Sequence, residues 1–387
     1  MKKNPVLLLG LFDTAIMTAR CFCGRGINVY GLDYEYKHLG FSSRLIKCFR
    51  TPNPNENESI WLDFLLEWLH QFNETFVLIP TSDEFVQLSA KYHEALSKYC
   101  LFLIPQQQII HQIIERDLQF NSAIASGLNV PSFVLGRTSP ELLKHNNPTF
   151  PLALKPINTP EWKRKINNKG FVVHNNEEFN AILKLITSKN NVRYLIQSII
   201  EGDNYYNFEV NALYFPNGRL VSHTIRKLRQ YPDRFGTATC IESFSNPEVE
   251  KLAEKYIRSM NLVGFTNMEF KYNKADGQYY YIETNTRVWL QVNFSMKLGI
   301  NFPMLYYNYL TGNESIKTSK VLSNGKWVDF LPDLLFWKIH HQNYNLSFIK
   351  FIKSWFPILS TGLFSLKDPK PFVKDFKFFH KITNIIK

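Results

Sequence analysis

The front of the chain alternates continuous apolar strands with amphipathic helices, and this limits it to folds built on a covered parallel sheet. The predicted elements are strands at 6–9, 27–33 and 76–79 and helices at 14–23 and 61–72. Uninterrupted apolar strands such as Val6–Leu9 are buried on both faces, which requires helices on both sides of the sheet. Ligands of such sheets bind beyond the carboxyl ends of the strands, where Asp33 and Pro80–Glu84 lie.

The glycine-rich fingerprint of dinucleotide-binding proteins is absent from the first strand–helix junction. Gly10 is followed by Leu-Phe-Asp-Thr-Ala, without the later glycines of G-x-G-x-x-G. Those glycines allow the close approach of a pyrophosphate, so we do not expect a nicotinamide cofactor here.

The charge balance is basic but does not by itself identify a partner. The 387 residues carry a formal net charge of +12, which attracts phosphates of nucleotides, nucleic acid and anionic lipid alike. No nucleic-acid recognition motif accompanies the charge, so we expect no nucleic-acid partner. The segment 350–387 is both basic and aromatic, which leaves a weak contact with a membrane surface open; solvated surface lysines are the simpler interpretation.

Cysteine usage and hydropathy favour a cytoplasmic protein. The five cysteines are odd in number and form no C-x-x-C pair, which predicts neither a disulfide framework nor a zinc site. No apolar run approaches the roughly 18 residues of a membrane span. The length predicts two or three domains.

The middle of the chain is richer in strands than the front, which places a domain boundary near residues 105–120. We predict helices at 108–126, 177–187 and 247–261, strands at 151–155 and 194–200, and hairpins at 206–224 and 265–284, with a polar loop from 156 to 170. The helix at 108–126 is followed by Gly127 and then Pro131, a typical helix end.

The second hairpin carries acidic residues in a pattern that predicts a metal site. Asp276-Gly277 marks its turn. Pairing centred on residue 276 places Glu269 opposite Glu283, and the period of two places Asn285 on the same face as Glu283. Facing carboxylates repel each other by about 0.2–1 kcal/mol on an open sheet, and more when desolvated. A hard cation such as Mg²⁺ removes that cost. A register shifted by one residue, or a carboxylate pair for acid–base catalysis, are the alternatives.

The same residues resemble the metal-site pattern of the ATP-grasp superfamily, and the wider chain resembles its predicted carboxylate–amine ligases over residues 5–310. The pattern is Glu269-Phe270 followed by Glu283-x-Asn285-x-Arg287. Further segments that fit are Pro80–Glu84, Leu154–Pro156, Lys169, Gln197–Asp203, Arg226–Pro232, Phe235–Thr239 and Glu242-Ser243.

The resemblance implies an α/β protein of three parts. Residues 1–110 form a Rossmann-like parallel-sheet (pre-ATP-grasp) domain, residues 111–312 a two-lobed α+β ATP-grasp domain, and residues 313–387 a C-terminal extension.

The resemblance also implies roles for individual residues. Nucleotide binding falls to Lys155, Lys169, Arg116, the hinge residues Gln197, Ser198, Ile199 and Ile200, and Glu201 and Asp203 near adenine or ribose. Metal binding falls to Glu269, Glu283 and Asn285, with Mg²⁺ as the expected ion and Mn²⁺ as an alternative. Arg287 would stabilise an acyl phosphate, and Lys227 and Arg229 would be further anion ligands or surface charges.

Two segments depart from the family pattern. Most relatives carry Asp-Lys where this chain has Glu115-Arg116, and the usual glycine-rich loop over the phosphates is replaced by 158–168, which has no glycine but contains Lys163, Arg164 and Lys165. These departures bear on catalytic efficiency rather than on nucleotide binding.

The expected activity is formation of an amide from a small-molecule carboxylate and an amine, with ATP cleaved to ADP and phosphate. A non-catalytic or regulatory ATP-binding module of the same fold is the alternative, motivated by the missing lysine beside Glu115. Neither the acid, the amine nor the oligomeric state is encoded in a recognisable motif.

Overall fold

The structure is a computed structural model that describes residues 3–136, 150–166, 168–188, 192–313 and 324–385. Three β-sheets organise these residues. Within these ranges no helix combines the length and the apolar character needed to cross a bilayer.

The N-terminal part is a five-stranded parallel sheet in the order β3-β2-β1-β4-β5, as the strand–helix alternation predicts. Its strands are β1 (Val6–Leu9), β2 (Val29–Asp33), β3 (Lys47–Arg50), β4 (Phe76–Pro80) and β5 (Cys100–Leu101). Its helices are α1 (Asp13–Phe22), α2 (Glu58–His70), α3 (Asp83–Lys91) and α4 (His93–Ser97). β1 is fully buried because it lies between β2 and β4 and is covered on both faces. β3 and β5 were not predicted, since one is mostly exposed and the other has two residues.

The single helix predicted at 108–126 is wrong: the structure has α5 (Gln107–Ile114) and α6 (Arg116–Ala125). Glu115 between them has extended backbone, with φ −81° and ψ 106°. Its carboxylate accepts from Asn158 Nδ2 at 2.8 Å and pairs with Arg193 at 2.6 Å. These contacts with a distant segment outweigh the local helical pattern and direct Arg116 toward the interior.

A small four-stranded sheet follows, in the order β6-β9-β7-β8. Its elements are β6 (Phe133–Gly136), β7 (Leu152–Pro156), α7 (Thr159–Ile166), β8 (Phe171–Val173), α8 (Asn176–Thr187) and β9 (Tyr194–Ser198). The polar loop predicted up to residue 170 is therefore wrong, because α7 lies within it. Asn158 Oδ1 accepts from the backbone N–H of Glu161 at 3.0 Å, and Trp162 is fully buried. An Asn that caps a helix ahead of a buried aromatic residue is a signal for a helix start, and the sequence contains this signal at Asn158 and Trp162.

The largest sheet has seven strands in the order β14-β13-β10-β11-β12-β15-β16. Its elements are β10 (Asn207–Tyr214), β11 (Leu220–Tyr231), β12 (Thr237–Ser243), α9 (Pro247–Ser259), β13 (Gly264–Asn273), β14 (Gln278–Asn285), β15 (Lys326–Val328) and β16 (Ile358–Thr361). Both predicted hairpins are present, and β11 runs seven residues beyond its predicted end at Thr224. α10 (Val292–Lys297) and α11 (Phe302–Leu310) pack with β1 and β4 in one hydrophobic core.

The C-terminal residues extend this sheet instead of standing apart from it. β15 pairs with β12, and β16 pairs with β15. The remaining helices are α12 (Phe330–His340), α13 (Phe348–Ser354) and α14 (Lys370–Ile385). Sheet pairing thus crosses the domain boundary expected at residue 313; the three ranges themselves stay predictions.

One buried carboxylate, Asp333 on α12, fixes the C-terminal helices to the sheet. It accepts from Arg229 Nε at 2.9 Å and Nη2 at 2.8 Å, from Thr239 Oγ1 at 2.6 Å and from Trp355 Nε1 at 2.6 Å. Asp333 is fully buried and Arg229 is 8% exposed.

Replacing Asp333 with Asn should therefore lower the free energy of unfolding by about 3–5 kcal/mol, because it leaves a buried guanidinium without its counter-charge. Urea denaturation at neutral pH measures the change. The matched control is Glu254→Gln, whose carboxylate pairs with Arg258 at 2.8 Å on an exposed helix face. That change should cost about 0.5 kcal/mol or less, and equal losses in the two variants would contradict the anchoring role.

Candidate active site

A cavity of about 690 Å³ opens between the small sheet and the seven-stranded sheet. Its lining comes from β7 and β9 on one side and from β11, β13 and β14 on the other, with Asp83 at the carboxyl end of β4. The volume is in the range of small-molecule sites. Most of the charged side chains singled out from the sequence line it.

Three glutamates lie side by side on neighbouring strands of the large sheet at this cavity. Glu209 on β10 is the register partner of Glu269 on β13, and Glu269 is the register partner of Glu283 on β14. The predicted Glu269–Glu283 pairing is therefore confirmed, but the register centred on residue 276 is wrong for the rest of the hairpin: Asn273 pairs with Gln278, and a bulge between Glu269 and Phe270 shifts the register by one residue. Asn285 lies two residues beyond Glu283, and its Nδ2 donates to Glu283 Oε1 at 3.3 Å.

Lys227 on β11 neutralises two of these carboxylates. Its Nζ lies 3.2 Å from Glu269 Oε2 and 3.5 Å from Glu209 Oε1, and it is 3% exposed. Burial alone would lower the pKa of Lys227, but Glu269 and Glu209 outweigh it and raise that pKa. Burial raises the pKa of Glu209, an effect that Lys227 opposes.

Arg116 neutralises the third carboxylate. Its Nη2 donates to Glu283 Oε2 at 2.9 Å. Burial opposes ionisation of Glu283, but the charge and hydrogen bond of Arg116, with further help from Lys155, lower its pKa to about 2. The predicted nucleotide ligand Arg116 thus lines the cavity and contacts a predicted metal ligand.

Lys155 leaves β7 into the same space. Its Nζ lies 3.2 Å from the ring centroid of Phe235, a residue with φ 58° in the loop after β11. Burial and the nearby Arg116 lower the pKa of Lys155 well below its ordinary value, while Glu283 and Glu269 oppose the shift. Lys169 also lines the cavity and donates to Thr237 Oγ1 at 3.1 Å.

The predicted hinge runs along one wall of the cavity. Gln197, Ile199, Ile200, Glu201 and Asp203 line it, whereas Ser198 faces an adjoining depression. A further lysine ties the hinge to the acidic hairpin: Lys271 Nζ donates to the carbonyl oxygens of Gly202 at 2.6 Å and Asp203 at 3.3 Å. Burial lowers the pKa of Lys271 to about 8.

The segment that replaces the glycine-rich loop is the helix α7, which reaches the N-terminal domain. Arg164 Nη1 donates to Asn55 Oδ1 at 3.1 Å, and Lys165 pairs with Glu161 at 3.0 Å. The side chain of Lys163 lies outside the described residues.

Arg287 joins the N-terminal sheet to the site, whereas Arg229 stands apart from it. Arg287 lines the cavity, and its Nε donates to Asp83 Oδ1 at 2.9 Å. Arg229 is absent from the cavity lining and is bound to Asp333 behind the sheet. This corrects the expectation that Arg229 is an anion ligand: the bulges near Lys227 and Arg229 on β11 accompany its pairing with Asp333.

The donor set fits a hard divalent cation bound together with a phosphate ligand. Glu269, Glu283 and Asn285 offer carboxylate and amide oxygens, the ligands that Mg²⁺ takes along with waters and substrate phosphates. In the described ranges no group of three or more His, Cys, Asp or Glu side chains forms a metal site of its own. A magnesium ion here would therefore depend on oxygens from outside the protein to complete its shell.

Several lining residues were not singled out as site residues from the sequence. Lys271 lies two residues after Glu269 on the same strand, so the period of two could have found it. Asp83 belongs to the segment 80–84, which lies at a predicted strand end and fits the family pattern, but neither pattern gives Asp83 a role of its own. Tyr344 comes from the loop between α12 and α13, and no local pattern links it to a cavity about 60 residues earlier in the chain.

Comparisons with known proteins agree with this geometry. Residues 237–299, which contain the acidic hairpin, match the family described as carbamoyl-phosphate synthase L chain, ATP binding domain. A D-aspartate ligase of Enterococcus faecium (strain Aus0004) is 22% identical over 241 residues, which are 59% of this chain and 57% of that protein's length. The match therefore spans little more than half of that relative.

Two solved structures share the architecture over most of their length. An L-amino acid ligase from Bacillus licheniformis superposes with a TM-score of 0.64 at 16% identity, covering 82% of this chain and 78% of the other. N5-carboxyaminoimidazole synthetase from Staphylococcus aureus, solved with ADP, gives 0.67 at 14% identity, covering 89% and 88%. The chain thus has the ATP-grasp fold. The resemblance to the ATP-grasp superfamily, which the sequence pattern between Glu269 and Arg287 first indicated, is confirmed.

Replacing Lys227 with Met should destabilise the protein by about 3–5 kcal/mol at pH 7, because Glu209 and Glu269 lose their buried counter-charge. In wild type the raised pKa of Lys227 makes its contribution fully present below its ordinary pKa of 10.5. In the variant, burial still raises the pKa of Glu209 in the folded protein. Glu209 therefore takes up a proton more readily in the folded state than in the unfolded state. The difference in unfolding free energy between wild type and Lys227→Met should therefore become smaller from pH 7 to pH 5.

Denaturant titrations of wild type and Lys227→Met at both pH values measure this gap. Lys98→Met, at an exposed lysine, is the control and should change stability little at either pH. A gap that widens on acidification would refute the assignment of Lys227 as the counter-charge of the glutamates.

Proposed function

We propose that the protein is an ATP-dependent carboxylate–amine ligase, which forms an amide through an acyl phosphate with Mg²⁺ and releases ADP and phosphate. The observation that carries this proposal is the cavity that combines the facing pair Glu269 and Glu283 with the cations Lys155 and Arg287. The relatives named above as ligases support it.

Nucleotide binding would use the two walls of the cavity. Lys155 and Lys169 are the cations on the small-sheet side and would contact the phosphates as point charges. The backbone of 197–200 would hydrogen-bond the adenine edge, and Glu201 or Asp203 would lie near adenine or ribose. The bond from Lys271 to the hinge carbonyls supports a fixed wall there.

Magnesium, or manganese in its place, would be held by Glu269, Glu283 and Asn285 and would supply positive charge to the phosphate oxygens. Arg116 pairs with Glu283 and, against the effect of burial, lowers the pKa of that carboxyl to about 2, and Lys227 Nζ lies 3.2 Å from Glu269 Oε2, so each proposed carboxylate ligand has a positive charge beside it.

The chain contributes to the chemistry by positioning and charge. A substrate carboxylate oxygen attacks the γ-phosphorus of ATP, the bond to the β–γ bridging oxygen breaks, and ADP leaves. An amine then attacks the acyl carbon of the acyl phosphate, loses a proton and expels phosphate, which gives the amide. Arg287 would hold the carboxylate and the negative charge that develops on it, since preorganised charge stabilises such transition states. Arg229 has no part in this set.

The substrate acid and amine are proposed only as small molecules. The D-aspartate and L-amino acid ligases among the relatives favour an amino acid as at least one of them. The five cysteines are all free thiols, which suits the cytoplasmic setting that we propose.

A non-catalytic ATP-binding module is the second candidate. It is favoured by one observation, the hydrogen bond by which Arg116 engages the metal ligand Glu283. Turnover in vitro separates the two candidates, because only a ligase consumes ATP in response to an acid.

Hydroxylamine in place of the amine, with ATP, Mg²⁺ and a panel of amino acids, should yield a hydroxamate from the correct acid. Glu283→Gln should reduce acid-stimulated phosphate release by about 10²–10³, the usual effect of removing a group that stabilises transition-state charge. The matched control is Glu242→Gln, which also breaks an Arg–Glu pair, with Arg226, but outside the cavity. ATP turnover that no acid in a broad panel stimulates would refute the ligase proposal and favour the module.

Arg287→Lys should retain ATP binding but lose most of the acid-stimulated turnover, because lysine cannot match the planar contact with a carboxylate. Nucleotide affinity from calorimetry should change about twofold or less, while turnover falls about 10²-fold. Arg258→Lys, on an exposed helix face, serves as control. A parallel loss of ATP affinity would instead assign Arg287 to the nucleotide.

A further inference from the structure

The C-terminal helices expose an unusual share of large apolar side chains. Nine of the seventeen exposed large apolar side chains in the described ranges fall within residues 339–376, which is about a tenth of the chain. We define the C-terminal surface by six of them: Ile339, Phe348, Ile349, Phe356, Phe364 and Leu366. Ile349 is 68% exposed and Leu366 is 85% exposed. Concentrations of exposed apolar side chains on a soluble domain mark sites of contact with a partner or a membrane.

Ring contacts connect the elements that carry this surface. From α14, Phe372 lies against Phe364, with centroids 5.3 Å apart, and Phe364 lies 5.7 Å from Phe330 on α12. Phe330 contacts Trp355, and Trp355 contacts Phe351 of α13. These contacts form one aromatic network, which includes Phe364 and, through Phe351, Phe348 of the C-terminal surface.

The outward face of α13 combines apolar and basic side chains. Ile349 and Lys353 lie one turn apart on α13 and are both exposed, and the exposed Phe356 follows two residues after the helix ends, whereas Phe351 on the opposite face is fully buried. Large apolar residues beside lysines on one helix face are typical of segments that lie in a membrane interface.

The segment that carries the six residues of this surface has exposed charges of a single sign. Between Asp333 and Asp368 the sequence has no acidic residue, and both of these aspartates are fully buried. Four exposed lysines lie between them, at positions 338, 350, 353 and 367. A surface of this kind is complementary to a partner that is apolar inside and negatively charged outside.

We propose that the C-terminal surface docks on an anionic lipid bilayer. Ile349, Phe356 and Leu366 enter the headgroup–acyl boundary, and Lys350 and Lys353 contact lipid phosphates. A second copy of the chain fits less well, because a two-fold interface would bring the same lysines against each other. Docking concerns another part of the molecule than the ligase chemistry and does not depend on it.

Sedimentation of the full-length protein with vesicles tests the proposal. We expect binding to vesicles of phosphatidylglycerol and phosphatidylcholine in equal parts, and little binding to phosphatidylcholine alone. Ile349→Glu should weaken binding at least about tenfold, since it removes one buried isoleucine from the interface. Lys353→Glu should weaken it about fivefold or more, since each lysine near such a surface contributes about 1 kcal/mol.

Two control variants separate the surface from general charge and hydropathy. Ile60→Glu changes an isoleucine that is 53% exposed on α2 of the N-terminal domain, and Lys98→Glu makes the same charge reversal outside the surface. Both should bind vesicles within about twofold of wild type. Circular dichroism and nucleotide binding verify that all four variants fold.

Three outcomes would overturn the proposal. The first is absence of binding to the anionic vesicles, and the second is equal loss in the surface and control variants. The third is a dimer, measured by analytical ultracentrifugation, that Ile349→Glu dissociates while vesicle binding stays absent; this outcome would assign the surface to a second copy.

Discussion

The site depends on the neutralisation of three glutamates that lie side by side across β10, β13 and β14. Without counter-charges, the adjacent carboxylates of Glu209, Glu269 and Glu283 would repel one another, most strongly at the buried Glu209. Lys227 serves the first two and Arg116 serves the third. The two cations come from different elements, β11 and the start of α6, so the charge balance also fixes how these elements meet. The backbone break at Glu115 is part of the same arrangement, because it aims Arg116 at the row.

The sequence predicted best what local chain geometry determines. Glu269 and Glu283 lie on one hairpin whose turn is marked by Asp276-Gly277, so their proximity was predictable, but a bulge between Glu269 and Phe270 is what places them directly opposite each other. By contrast, Lys227 meets Glu269 from 42 residues away, and Arg229 meets Asp333 from 104 residues away. Such long-range pairs leave no periodic trace in the sequence, which is why Lys227 and Arg229 looked equivalent although only Lys227 lies in the cavity.

The secondary-structure errors have the same origin. The pattern at 108–126 favours one helix, but tertiary bonds from Glu115 to Asn158 and Arg193 interrupt it. The three residues of β15 are too few for a periodic signal, yet this strand carries the large sheet into the C-terminal part of the chain. The N-terminal sheet, whose strands β1 and β4 are uniformly apolar, was predictable because burial on both faces leaves a continuous pattern.

The loop between α12 and α13 lies between the cavity and the C-terminal surface. Tyr344 in this loop lines the cavity proposed to bind the nucleotide, and Phe348, four residues later, belongs to the C-terminal surface. If lipid and nucleotide favour different positions of this loop, each lowers the affinity for the other, and if they favour the same position, each raises it. In both cases the two affinities change by the same factor. The equality is reciprocal: whatever lipid does to nucleotide affinity, nucleotide does to lipid affinity, irrespective of which binds first.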